Sequence, residues 1–97
     1  MATVTHTGIT EEAAIRQILQ AEGYFDIFRW CDGPGSRYPV HTHPHNEVRW
    51  ILSGRLWIEE EGRVLELGPG DRMESEAGVP HSAWSEEGAC YLCGSKD

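Results

Sequence analysis

The period of the hydrophobic positions changes once, near residue 24. Before it, Ala14, Ile15, Ile18 and Leu19 recur at helical spacing. Thr10 is placed to cap that run, and Glu11 and Glu12 would sit at the positive end of the helix dipole. Gly23 supplies the stop. The pattern predicts one short helix, about residues 11–22, with an Ile15/Ile18/Leu19 face that must lie against something. Residues 1–9 read as a flexible tail or a short edge strand.

After residue 24 the period is two. Tyr24–Trp30 is aromatic and β-branched, as strands are. In residues 46–53, Val48, Trp50 and Leu52 take one face, and Glu47, Arg49 and Ile51 the other. Further short runs at 55–60, 63–67, 72–75, 81–86 and 89–93 are separated by turn signals, among them Asp32-Gly33-Pro34-Gly35, Glu61-Gly62 and Gly68-Pro69-Gly70-Asp71. Turns this regular predict an all-β fold, a small antiparallel barrel or jelly roll over residues 24–97, with one N-terminal helix. A thin barrel cannot bury both faces of the 46–53 strand. The Val48/Trp50/Leu52 face therefore requires a cover, either the helix or a second subunit.

Ninety-seven residues allow one domain. A chain this short has a marginal core, which a bound metal or a partner subunit would strengthen. The net charge of −8 argues against tracking nucleic-acid phosphates or anionic membranes. No apolar run reaches membrane-spanning length, and the first residues lack the regions of a signal peptide. With three cysteines read as free thiols, the expectation is a soluble cytoplasmic protein.

Candidate chemistry concentrates between Gly35 and Gly54. His41 and His43 are one residue apart, so an extended chain puts both on one face, roughly 6–7 Å apart, and Glu47 shares their parity. Imidazole and carboxylate together suit one divalent transition ion, whether iron, manganese, nickel, zinc or copper. His81, after Gly78-Val79-Pro80, is the remaining histidine outside the N-terminal tail and the 41–45 cluster, and is the candidate fourth ligand.

These residues resemble the cupin superfamily. Its first motif, G-x5-H-x-H-x3-E-x6-G, is met at every position by Gly35, His41, His43, Glu47 and Gly54. Its second, G-x5-P-x-G-x2-H-x3-N, is met by Gly70, Gly78 and His81, with Glu76 in place of the proline and Ser85 in place of the asparagine. The resemblance implies a metal inside a small barrel, held by His41, His43, Glu47 and His81, and often a homodimer. The run H-x-H-x3-E-x-R is also similar to acireductone dioxygenases, in which the arginine contacts the substrate. On that likeness Arg49 orients an anionic group.

Tyr38 is a candidate donor to a bound oxygen. Phe28, Trp30, Ile51 and Met73 are either cavity lining or plain core. His45 reads as solvent-facing, and His6 as a tail residue. Cys90 and Cys93, on opposite faces by parity, do not make a redox or zinc pair. Glu59-Glu60-Glu61 reads as a solvated hairpin tip. The expected activity is that of a small metal-dependent oxygenase of a chelating organic acid or enediol. The alternatives are a non-redox isomerase or lyase of sugar-derived acids, and a cupin that binds a small ligand without turnover.

Overall fold

The computed structural model describes residues 2–97. Among them are nine strands and one helix: β1 (Thr3–His6), α1 (Glu12–Ala21), β2 (Phe25–Asp32), β3 (Ser36–His41), β4 (Asn46–Gly54), β5 (Leu56–Glu60), β6 (Arg63–Leu67), β7 (Asp71–Ser75), β8 (His81–Ser85) and β9 (Ala89–Lys96). They form a five-stranded sheet, β1-β7-β4-β9-β2, facing a four-stranded one, β3-β8-β5-β6. Every pairing is antiparallel, the jelly-roll architecture that the turn spacing predicts.

The helix begins one residue later than Thr10 implies. Glu11 is the N-cap, in extended conformation, and its carboxylate accepts from the Ala13 N–H at 2.6 Å. Gly23 follows the helix at φ 93°, the left-handed stop. Residues 3–6 are the edge-strand alternative, not a free tail: Thr3 to His6 pair with Glu74 to Asp71. His6 is thereby fixed, its Nδ1 2.6 Å from Asp71 Oδ1.

Two cores lie on either side of the five-stranded sheet. Between the sheets are Ile51, Leu56, Ile58, Leu67, Met73, Ala83, Ala89 and Tyr91. On the outer face, Ile15 and Leu19 of α1 pack with Tyr24, Val48, Trp50 and Leu92. The helix is thus a cover for the Val48/Trp50 face, and the Trp50 indole donates to Ile9 O at 2.9 Å.

Two motif glycines have local causes. At Gly54 (φ 76°) an added Cβ would lie 2.0 Å from Gly88 O, and at Gly70 (φ 88°) one would lie 2.7 Å from Gly8 Cα. Both are positions where backbone meets backbone, which only glycine allows. Ser85, where the motif favours asparagine, still closes the local hydrogen bonding. It is buried, donates to Arg55 O at 2.6 Å and accepts from Gly88 N–H at 2.9 Å. Glu60, read as part of a solvated tip, is instead buried and accepts from Ala2 N–H at 2.8 Å, because the period of β5 turns it inward with Leu56 and Ile58.

The cysteine reading needs correction. Cys31 and Cys90 are cross-strand partners in the β2–β9 pair and form a disulfide, with Cα atoms 4.1 Å apart. Cys93 is free. Pairing needs two thiols facing each other, and the register that achieves this is non-local. A disulfide also weighs against the expectation of a reducing compartment. No helix among the described residues is long and apolar enough to cross a membrane.

Candidate metal centre

Three separate segments converge on one point. β3 delivers His41, and its register, irregular between Tyr38 and His41, sets His41 directly opposite His81, the first residue of β8. His43 lies in the bend after β3, which is tied to the facing turn by Gly78 N–H donating to His43 O at 2.9 Å. The ring centroids of His41 and His43 are 4.8 Å apart, those of His41 and His81 4.5 Å, and those of His43 and His81 5.0 Å. One ring nitrogen from each of the three lies within 4.8 Å of the others.

The outer nitrogens of these rings fix the tautomers. His41 Nδ1 is 2.6 Å from Pro39 O, and His81 Nδ1 is 3.1 Å from Val79 O. His43 Nδ1 is 3.2 Å from Glu47 Oε2. Carbonyl oxygens only accept, so Nδ1 carries the hydrogen on His41 and His81 and their Nε2 atoms keep the lone pair; at His43 the Arg49 guanidinium, which only donates, faces Nε2 at 3.5 Å and assigns the hydrogen to Nδ1 as well. This is the arrangement in which a histidine is prepared to ligate a metal through Nε2.

Electrostatics agree with neutral rings at His43 and His81. Burial, then the nearby Arg49 guanidinium, lowers the His81 pKa to about 4. The same two causes, in the same order, lower that of His43. Neutral imidazole is the form that binds metal. The donor chemistry therefore fits a divalent transition ion.

Glu47 and Arg49 lie beside this triad on the inward face of β4. Glu47, expected as a direct ligand, has its carboxylate on the outer nitrogen of His43, with Oε1 3.5 Å from Arg49 Nη2. Arg49 is buried. Its Nη2 lies 3.5 Å from His43 Nε2 and 3.4 Å from His81 Nε2, and its Nη1 is buried without a hydrogen-bond partner. A buried guanidinium nitrogen without an acceptor costs stability, and an anionic group entering the cavity would supply one.

The cavity holds about 250 Å³ and is lined by Phe28, Trp30, Tyr38, Tyr91 and Cys93 in addition to His41, His43, Glu47 and Arg49. Of the four candidate lining residues, Phe28 and Trp30 form wall, whereas Ile51 and Met73 are fully buried core. His45 points away, with its Nδ1 2.9 Å from Asp97 Oδ1. Cys93 does face the cavity, but burial pushes its thiol up to about 11, so it is protonated at neutral pH.

Sequence reasoning missed two residues here. Asp32, read as turn, ends β2 with a buried side chain, and Tyr91 lies deep in β9. Both Tyr38 and Tyr91 donate to Asp32, Tyr38 to Oδ1 and Tyr91 to Oδ2. Inward parity shared with Cys93 could have flagged Tyr91; nothing local marks Asp32.

Residues 28–93 match the family model of the cupin domain. The chain belongs to the cupin family. As a cupin it is similar to several solved structures. A DUF861 family protein of Thermotoga maritima superposes with TM-score 0.71 at 15% identity, covering 99% of this chain and 100% of that one. A cupin superfamily protein of Desulfitobacterium hafniense superposes at 0.67 with 17% identity, over 71% of this chain and 63% of the other. These likenesses concern the fold.

A closer sequence likeness is to dimethylsulfoniopropionate lyase DddQ of Ruegeria pomeroyi. The two are 41% identical over 49 residues, 50% of this chain and 24% of the lyase. The crystal structure of that lyase superposes with TM-score 0.66 at 30% identity, over 73% of this chain and 38% of the lyase chain. This cupin thus spans about a quarter of the curated relative's length in the sequence match.

Proposed function

We propose that this cupin is a metal-dependent lyase of a small carboxylic acid. The observation that carries the reading is the cluster of three imidazoles, each offering one ring nitrogen within 4.8 Å of the others, with the Nδ1 hydrogens of His41 and His81 held by backbone carbonyls. In the proposal His41, His43 and His81 hold one divalent transition ion, and Glu47 supplies the carboxylate of the centre. Such an ion would supply Lewis acidity toward a carboxylate or carbonyl oxygen.

The chain's own residues do the rest. Arg49 holds the substrate carboxylate with the N–H groups that lack a protein acceptor, and so orients the carbon next to it. Tyr38, a phenol kept protonated by burial and by its bond to Asp32, gives its one hydroxyl hydrogen to that carboxylate and so serves as cavity wall, not as the expected donor to a bound oxygen. Phe28 and Trp30 narrow the mouth and reduce water inside. Partial identity with a lyase supports elimination over the oxygenase expectation.

The H-x-H-x3-E-x-R run keeps one second reading open, oxygenation of an enediol or dicarbonyl chelate. One experiment separates the two. Protein loaded with iron, manganese, nickel or zinc is offered small β-substituted carboxylates and enediols, with and without oxygen. A lyase forms an alkene product at the same rate in both atmospheres. Turnover that consumes oxygen and stops without it would replace the first reading with the second. A homodimer belongs to the same proposal, and sedimentation of the purified protein tests it.

A further inference from the structure

The wall of the cavity away from the imidazoles carries an unusual charge. Asp32 is only 8% exposed, and the groups that reach its carboxylate are an indole and two phenols. Trp30 Nε1 donates to Oδ1 at 2.8 Å, Tyr38 donates to the same oxygen, and Tyr91 donates to Oδ2 at 2.6 Å. Trp30 Nε1 also lies 3.0 Å from Tyr38 Oη. All three donors line the cavity, and Phe28 adds a fourth ring.

A buried carboxylate is costly unless its surroundings return that cost. Three neutral donors do so in part. They also transmit its charge, because an O–H or N–H bound to an anion leaves its ring richer in electrons and more negative over its face. Burial and the Asp32 bond raise the pKa of both phenols, so they remain donors at any ordinary pH. Trp30 and Phe28 are each 49% exposed, so large aromatic surfaces are open to a ligand. Aromatic faces beside a negative charge favour a bulky organic cation over a neutral group of the same shape.

We propose that Phe28, Trp30, Tyr38 and Tyr91, backed by the Asp32 carboxylate, form a subsite for a quaternary ammonium or sulfonium group. The ligand of the cavity is then a small zwitterion, with its onium end on this wall and its carboxylate at Arg49 and the imidazoles. The carboxylate half rests on the function proposed above; the onium half stands on the Asp32 cluster alone. Asp32 is the residue that sets specificity, acting through the rings it holds.

The test compares three probes by calorimetry on the full chain: glycine betaine, its neutral-tailed isostere 3,3-dimethylbutanoate, and the slightly smaller dimethylsulfonioacetate. All carry the same carboxylate, so the difference reports the tail. At least one onium probe binds about tenfold tighter than 3,3-dimethylbutanoate, and the tighter of the two identifies the onium. Asp32→Asn, which keeps the shape and removes the charge, reduces that preference to within about twofold while leaving 3,3-dimethylbutanoate nearly unchanged.

If Asp32→Asn melts too low to measure, Trp30→Leu on the exposed wall serves instead and lowers the preference in the same direction. The proposal is overturned if the neutral tail binds as tightly as the charged ones, if the preference survives both variants, or if neither onium probe binds. Elemental analysis of the same samples separates the two claims. Metal-loaded protein that does not discriminate refutes this subsite alone, whereas discrimination by protein that takes up no metal refutes the metal centre alone.

Discussion

One end of the cavity is built to be completed and the other is complete already. At the His41/His43/His81 end, Arg49 Nη1 is buried without a partner, and Arg49 Nη2 reaches the Nε2 atoms of His43 and His81 only at long distances, 3.5 and 3.4 Å. At the Asp32 end every donor reaches a carboxylate oxygen at 2.8 Å or less. The first end therefore gains from a guest, and the second holds the wall rigid around it. Substitutions at the two ends should separate stability from binding.

The largest expected effect tests what anchors the rigid end. Cys31 and Cys90 immediately precede Asp32 and Tyr91, and tie edge strand β2 to β9 across a sequence separation of 59. On the chain-entropy model, replacing both cysteines by serine costs about 4 kcal/mol, read as a shift in the urea midpoint. A shift under a quarter of that would mean the β2–β9 hydrogen bonds alone hold the wall.

Next, Asp32→Ala leaves one indole and two phenol donors without their acceptor and should cost about 3 kcal/mol in metal-free protein. His81→Ala at the other end should cost less in the same assay, since it also removes a buried ring lying against a guanidinium. If the order were reversed, the distinction between a rigid and an open end would be wrong.

Legibility follows the same division. The imidazole end was readable because the first motif packs His41, His43 and Glu47 into seven consecutive residues, where spacing carries geometry. Even so, the His41–His81 pairing depends on a register irregularity that no local pattern encodes. The strands, and the need for a cover over Val48 and Trp50, were readable from periodicity; that the helix supplies it was one of two alternatives. Asp32, Tyr38 and Tyr91 come from three strands with no shared spacing, and Asp32 was masked by a genuine turn signal in the residues after it. The disulfide was unreadable for the same reason: it depends on the β2–β9 register.

A smaller effect sharpens the role of Glu47. Its carboxylate touches His43 Nδ1, so Glu47→Gln should weaken metal binding about 10–100-fold without abolishing it, measured by competition with a chromogenic chelator. Loss of all binding would make Glu47 indispensable in a way its present contact does not require.

The smallest is a pH effect. The His81 imidazole is lowered to about 4, below the ordinary histidine value of about 6.5, and His43 is lowered too. The unfolded chain therefore binds protons first on acidification. Their contribution to stability is full above about pH 6.5 and is lost as pH falls toward 4, which thermal melts across that window should show in metal-free protein. His81→Ala should flatten part of that slope.

The central claim is that three segments aim three imidazole nitrogens at one ion. Elemental analysis of the native protein and of His81→Ala, each purified without added metal and dialysed against one divalent ion at a time, tests it most directly. The account predicts close to one ion per chain for the native protein with at least one transition metal, and loss of most of it in the variant. A native protein that retains no ion, or a variant that retains as much as the native protein, would contradict it.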